Sequence, residues 1–519
     1  MKRRIIAMLI VLALSVSMLT ACGGGNGGNS GSGGNGGSGG SNPDNGGGGN
    51  SGGDTTPVPA DIGEMSDEQI IETALLAYQY ALPLIIVDLT KKNVTNVNPE
   101  MGTGAPVNQI SHDRLPAVPE NKSVVRLNVD TLYSHAFLEI YDEPVILEKP
   151  KTDIYCTIAV FDAYTNCAAV LGTGGLDDGE AAVYAFCKSD FAGELPEGVV
   201  RIDMPTDIVW LFFRTGYENS EESLNLAHNV QDQFSTVPLS EYGNNDYTPP
   251  EGSYSTEYDY IPAQKLFAMS TSEFFNAFNE ISVKNPGTVG DLPYLEKLAA
   301  IGIGAGLNFS LDEFSDEVQN ILTQIPENVR ASFMQGGSNS AGAAGMADSP
   351  MARYFHLNNG WNFPDSIIAN FGQEYLFRAY IAITGLGANP VTMAVYPGLS
   401  RDKDGAFLDG NNNYTITFES GQLPPFLENG FWSITLYDKD SFLYANTAQK
   451  QAVRSVDNFV TNPDGSVTIY LQHESPDGDL EANWLPTPKE NFNLTMRIYL
   501  PDESVTDFSW IPPYAEITE

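Results

Sequence analysis

Asp130 and Asp162 stand out as carboxylates near aromatic hydroxyls and amides: Tyr133 follows the first, Tyr164 and Asn166 the second. Two such carboxylates can serve as general acid and general base in glycoside or ester hydrolysis, provided burial drives their pKa values apart. Arg214 offers a competing use, since either aspartate can pair with it as a structural ion pair or can cap a nearby turn. A second set comes from strand parity. Trp432, Ile434 and Leu436 share one face of a strand, which turns Ser433, Thr435 and Tyr437 the other way. Arg497 and Tyr499, and Thr468 and Tyr470, are expected on the polar faces of neighbouring strands. Such a surface can line a pocket in which Arg497 meets a carboxylate or phosphate; the plainer expectation is a half-solvated outer sheet face.

Metal chemistry has thinner support. Asp402, Asp404 and Asp409 with Asn411 and Asn412 form an oxygen-rich loop that suits calcium, but the spacing lacks the EF-hand glycine and glutamate, and Asp-Gly turns explain it without a metal. The histidines His112, His135, His228, His356 and His473 have no metal-ligand spacing, and no Cys–His spacing suits zinc. Cys156, Cys167 and Cys187 are too few for a disulfide framework, though one bridge is compatible with them.

The N-terminus addresses the chain. Lys2, Arg3 and Arg4 precede an apolar run from Ile5 to Leu19, which is short for a permanent span. Leu19-Thr20-Ala21-Cys22 resembles the bacterial lipobox, so residues 1–21 are expected to be a secretion signal, with lipid carried on Cys22 of the mature chain. Two or more acyl chains give stable attachment. Residues 22–58 are Gly/Asn/Ser-rich and are expected to form a disordered tether. The formal charge is −40, and −40 − 3 = −43 without the three leader cations. That balance argues against nucleic-acid binding. The partners expected are therefore a membrane, through the lipid, and an unidentified small molecule; the location expected is the cell envelope, outside the cytoplasm.

Ser66 and Gln69 form a capping box for a helix that Pro83 is expected to stop near Leu82. Alternating runs predict strands at 131–140, 153–162, 181–187, 199–203 and 208–215, and again from 413 onward. Capping boxes at Ser270/Glu273 and Ser310/Glu313 introduce a helical middle, with helices at 271–284, 292–301, 311–323 and 366–384, the last ended by Gly385 and Gly387. Gln335 to Ala347 is expected to be a loop. The fold class is therefore α+β, mainly antiparallel β: two β-sandwich or jelly-roll-like modules, at 62–250 (with an N-terminal helix) and 373–510, joined by a helical segment at 262–372.

Several motifs are family-like. Asn128-Val-Asp130-Thr131-Leu132-Tyr133-Ser134, Asp162-Ala-Tyr164-Thr165-Asn166, Gly172-Thr173-Gly174, Pro205-Thr206, Val209-Trp210 and Arg214 resemble the domain of unknown function DUF1254. Arg378-Ala379, Gly387-Ala388-Asn389, Leu408-Asp409-Gly410, Leu423-Pro424-Pro425, Phe431 to Tyr437, Asn483-Trp484-Leu485-Pro486 and Arg497-Ile-Tyr499 resemble its usual companion, DUF1214. Gln449-Lys450-Gln451 departs from the Asn-Arg-Tyr-like run of that family. The resemblance implies two β modules with helices attached and no assigned activity. It also brings forward His112, since family members often carry a histidine before the Asn-x-Asp-Thr motif. The expectation is a lipid-anchored protein without a cofactor that holds a polar small molecule or glycan between its modules, through residues such as Asn128, Asn166, Arg214, Ser433, Tyr437, Trp484, Arg497 and Tyr499. The alternative is an extracytoplasmic hydrolase using Asp130 or Asp162 with Tyr133 and His112.

Overall fold

The computed structural model describes residues 65–98, 103–122, 125–338, 350–476 and 478–518. The leader, Cys22 and the tether lie outside the described residues. Helix α1 (Asp67–Val94) opens on the expected capping box, Ser66 Oγ accepting from the Gln69 amide at 3.2 Å and Gln69 Oε1 accepting from the Ser66 amide at 2.8 Å. It does not stop at Pro83. An internal proline costs a helix about 3 kcal/mol, but the next turns bring Leu84, Ile85, Ile86 and Val87 into the core, and their burial outweighs that cost. The helix is long and apolar enough to cross a membrane, yet 83% of its apolar window is buried inside the protein. It is the central helix of this fold.

The first β module contains β1 (Ser111–His112), β2 (Thr131–Glu139), β3 (Val145–Lys149), β4 (Cys156–Phe161), β5 (Cys167–Gly172), β6 (Ala182–Lys188), β7 (Val200–Met204), β8 (Ile208–Gly216) and β9 (Ser235–Pro238), with helix α2 (Glu221–Gln231) before the last strand. A five-stranded sheet, β1-β2-β8-β4-β5, packs on a four-stranded sheet, β7-β6-β3-β9. Leu138, Val145, Ile158, Phe186, Leu211 and Phe213 fill the space between them. The outer face of the five-stranded sheet is aromatic, and Phe137, Phe161, Trp210 and Phe212 join it to the helical layer.

That layer comprises α1, α3 (Pro262–Ala268), α4 (Thr271–Ile281), α5 (Leu292–Ala299), α6 (Asp316–Leu322), α7 (Ile325–Ser338) and α8 (Tyr375–Thr384). Three boundaries differ from expectation. Ser310 caps only a single 3-10 turn, and α6 starts from Ser315. Residues 335–338, expected in a loop, continue α7, while the rest of that stretch falls outside the described residues. The helix expected at 366–384 begins at Tyr375, because Asp365 Oδ1 accepts from the Ile367 amide at 3.0 Å and Ala369 turns to φ 65°.

The second β module runs from β10 (Phe355–Asn358) and β11 (Trp361–Pro364) through β12 (Ala394–Val395), β13 (Gly398–Leu399), β14 (Asn413–Phe418), β15 (Phe426–Asp438), β16 (Ala452–Arg454), β17 (Val467–Gln472), β18 (Trp484–Pro486) and β19 (Phe492–Pro501) to β20 (Glu516–Thr518). The sheet β10-β11-β13-β19-β15-β16, with β12 also on β19, faces a second sheet, β18-β17-β14-β20. Trp432, Ile434, Leu436, Met496 and Ile498 meet Ile416, Phe418, Val467 and Ile469 between them, as the parity of β15 requires. β17 belongs to the second sheet, so Thr468 and Tyr470 do not share a face with Arg497. Strand pairing is antiparallel except for β6/β7 and β17/β18.

Candidate functional site

The far face of β15 and β19 is not the wetted surface that parity alone suggested. Ser433, Thr435, Tyr437, Arg497 and Tyr499 are all buried, because the first module packs over them. Two registers set the groups. On β2/β8 Tyr133 lies opposite Arg214 and His135 opposite Phe212. On β15/β19 Ser433 lies opposite Arg497 and Phe431 opposite Tyr499. The segment 126–130 crosses the seam between the two sheets.

Asp130 is the carboxylate at this crossing. Its Oδ2 accepts from Ser433 Oγ at 2.6 Å and from Tyr499 Oη at 2.9 Å. Asn128 braces it, Oδ1 accepting from the Asp130 amide at 2.6 Å and Nδ2 donating to Tyr499 Oη at 2.9 Å. Arg497 donates to Thr435 Oγ1 at 2.9 Å, to Tyr437 Oη at 2.7 Å and to the Arg126 carbonyl at 2.9 Å, while Tyr437 Oη donates onward to the Leu127 carbonyl at 2.8 Å. Arg214 donates to Asn389 Oδ1 at 2.8 Å and to the Gly387 carbonyl at 2.5 Å, with its guanidinium 4.2 Å from the Phe212 ring centre. Gly387 reaches this place only as glycine: φ is +79°, and a Cβ would lie 2.6 Å from Phe212 Cδ1. Arg126, itself at φ 56°, donates to Thr495 Oγ1 at 3.4 Å.

The charge balance is unusual for so acidic a chain. Arg126, Arg214 and Arg497 meet only neutral acceptors and pair with no carboxylate among the described residues. Arg454, by contrast, is held by a two-pronged pair to Asp457 at 2.7 and 2.9 Å. Burial pushes the Tyr155, Tyr396, Tyr437 and Tyr499 phenols upward, so they stay protonated and add no negative charge. Of the three guanidiniums on neutral acceptors, Arg497 lies within electrostatic reach of the Asp130 carboxylate, as does the Asp457-bound Arg454, while Arg126 lies near Arg497 and Arg214 near the Tyr499 hydroxyl.

His135 completes the wall. Its ring stacks on Phe212 at 4.7 Å and on Trp210 at 5.9 Å, and Trp210 Nε1 donates to its Nδ1 at 3.3 Å. An indole N–H only donates, so Nδ1 accepts and the ring proton sits on Nε2. Burial, with Arg214 nearby, lowers the His135 pKa to about 4. The unfolded chain thus takes up this proton first. Stability is expected to fall as pH drops from about 6.5 to about 4, with no contribution to the slope above pH 7. Thermal melts of the wild type and of His135→Gln should diverge by roughly 2 kcal/mol at pH 5 relative to pH 7.5. Parallel curves across that range would refute this assignment.

The remaining sequence candidates lie elsewhere. Asp162 closes its own turn, accepting from the Tyr164 and Asn166 amides at 2.8 and 2.9 Å and from Asn166 Nδ2 at 3.0 Å, and burial raises its pKa. It shares no partner with Asp130, and neither aspartate pairs with Arg214. Asp162 instead lies near Arg378, whose guanidinium is 5.0–5.2 Å from the ring centres of Tyr80, Tyr164 and Tyr375. His112 bonds Ser134 Oγ at 2.7 Å on the opposite face of β2 from Tyr133, its pKa lowered to about 4 by burial. Trp484 lies on β18 of the outer sheet, donating to the Gln472 carbonyl at 2.8 Å. Asp402 and Asp409 accept from amides of their own turns, and no group of three metal-ligating side chains occurs among the described residues. Cys156, Cys167 and Cys187 are free and buried.

A surface cleft of about 760 Å³ is lined by Asp88, Lys91, Lys92, Glu139, Asp207 and Lys284. Four of these charges pair with one another, Lys91 with Glu139 at 2.5 Å and Lys92 with Asp88 at 2.6 Å. Its Asn279 is engaged with the Gly302 and Leu307 carbonyls. None of the sequence candidates lines it. Reading from sequence missed Arg126, His135 and the buried role of Asn389; for His135 the signal was present, since it shares its strand face with Tyr133.

Two antiparallel β modules closing over a buried arginine and tyrosine seam, with helices alongside, define a two-module α+β protein. Residues 107–238 match the family model "Protein of unknown function (DUF1254)" and residues 393–503 match "Protein of unknown function (DUF1214)", so the chain carries these two domains in that order. The seam draws Asp130, Tyr133, His135 and Arg214 from the first match, Ser433, Arg497 and Tyr499 from the second, and Gly387 and Asn389 from the stretch between. A structural-genomics crystal structure of a protein from Vibrio parahaemolyticus superposes with TM-score 0.60 at 21% identity, covering 87% of this chain and 100% of that one. It shares the fold. An uncharacterized protein from Burkholderia cenocepacia is more distant, with TM-score 0.40 and 13% identity over 87% of this chain and 93% of that one. A search of curated proteins finds no match.

Proposed function

We propose that this chain is a lipid-anchored extracytoplasmic protein that binds a small organic anion in the seam between its two β modules. The observation that carries the reading is the pair of buried guanidiniums Arg214 and Arg497, with the half-buried Arg126 beside them, all held by neutral acceptors, and with Arg497 near the Asp130 carboxylate. Buried guanidiniums are normally paired with anions, and the fork of an arginine matches a carboxylate or phosphate. In a chain of net charge −40, unpaired buried arginines are not for want of acids to pair with. The hydrolase reading has less support, because Asp162 and His112 lie in separate clusters from Asp130 and Tyr133.

Calorimetric titration of the purified chain with acetate, benzoate, phosphate and glucose tests the reading. An anion is expected to bind and to raise the melting temperature by mass action, with glucose silent. Arg214→Met keeps the stem on Phe212 and is expected to weaken that binding about 10- to 150-fold, the range for one charged hydrogen bond. If glucose alone binds, or if the anion's affinity ignores Arg214→Met, the proposal fails. The anchor is tested separately: Cys22→Ser is expected to move the protein from the membrane to the soluble fraction.

A further inference from the structure

Resting on that reading, we infer that the anion carries a hydroxyl group: the seam is built for a small hydroxy acid whose hydroxyl donates to Asp130 Oδ1. Two buried atoms point to it. Asp130 Oδ2 receives two hydrogen bonds, but Oδ1 of the same side chain has no partner among the described residues. Asn389 is fully buried; its Oδ1 accepts from Arg214, and its Nδ2 likewise has no partner there. Buried polar atoms are rarely left without partners, so each marks a place where a ligand atom is expected.

The two atoms belong to one network. Asn389 holds Arg214, Arg214 lies within electrostatic reach of the Tyr499 hydroxyl, and that hydroxyl bonds Asp130. A ligand lying along it would offer acceptor oxygens at the Asn389 and Arg214 end and a hydrogen-bond donor at the Asp130 end. The electrostatics choose the donor. Arg454 and Arg497 act on Asp130, while Arg126 lies near Arg497 and Arg214 near the Tyr499 hydroxyl that bonds Asp130. An ammonium would enter against this excess, whereas a neutral hydroxyl meets no such barrier. Amino acids are therefore disfavoured and hydroxy acids favoured.

The test compares ligands on the unaltered full chain, so it does not depend on any variant folding. Calorimetry would measure mandelate against phenylacetate, α-methoxyphenylacetate and phenylglycine, and lactate against propionate and alanine as the smaller series. The hydroxy acid in at least one series is expected to bind at least about 10-fold tighter than its deoxy partner, with the methoxy compound losing that advantage because it cannot donate. Asp130→Asn is expected to shrink the ratio of hydroxy-acid to deoxy-acid affinity to within about 3-fold. Equal affinities for hydroxy and deoxy acids, or a preference for the amino acids, would overturn the hydroxyl assignment and leave anion binding standing. Failure of every carboxylate to bind would remove both.

Discussion

Replacing Lys149 with alanine is expected to destabilise the first module by about 3–5 kcal/mol, the usual result of stripping one partner from a buried ion pair. The Lys149 ammonium is fully buried, 2.9 Å from Asp177 Oδ1, and it also donates to the carbonyls of Pro150 at 3.0 Å and Glu180 at 2.8 Å. Asp177 in turn accepts from the Gly172 and Gly179 amides, both at 3.0 Å, and from Tyr184 Oη at 2.8 Å. The loop carrying Gly172-Thr173-Gly174 is therefore wrapped around one cation. Alanine leaves the Asp177 carboxylate buried without its counter-ion, and the loop's carbonyls without their donor. Chemical denaturation should show the loss as a lower midpoint with little change in slope. A change below about 1 kcal/mol would mean that the loop holds its shape without the lysine.

Arg497→Ala is expected to have the next largest effect, about 3 kcal/mol of stability, together with loss of anion binding. This side chain joins β15 to the 126–127 backbone of the other module through three acceptors at 2.7–2.9 Å. Arg497→Lys separates the two consequences. An ammonium keeps the charge but cannot span acceptors placed for a planar fork. It should retain part of the anion affinity while losing most of the stability that alanine loses. Equal stability of the lysine variant and the wild type, by denaturant titration, would show that charge rather than fork geometry matters here.

Local chemistry explains what could be read in advance. Alternation along β2 and β15 put Tyr133 with His135, and Ser433 with Tyr437, on shared faces, because side chains in a strand repeat every second residue. The capping box at Ser66 began α1 where expected, since that motif closes within three residues. Pro83 misled for the opposite reason: whether a proline ends a helix depends on what buries the turns beyond it. The same limit applies at 366–374, where Asp365 and the positive φ of Ala369 delay α8 despite a suitable apolar pattern.

The amino-acid sequence by itself determined the broad β-rich, helical, β-rich order (though not β10 and β11 inside the segment expected to be helical), the faces of most strands, and the chemical kinds of side chain available at positions such as Asp130, Arg214, Ser433 and Arg497. Only the tertiary structure decided that these form one place, and that Asp162, His112 and Trp484 stand apart from it. Ser433 reaches Asp130 across 303 residues of chain, and Tyr499 does so across 369. Strand periodicity reports which side of a sheet a residue takes, but not what will cover that side. Here the other module covers it, and burial turns an ordinary polar face into a seam of unpaired guanidiniums.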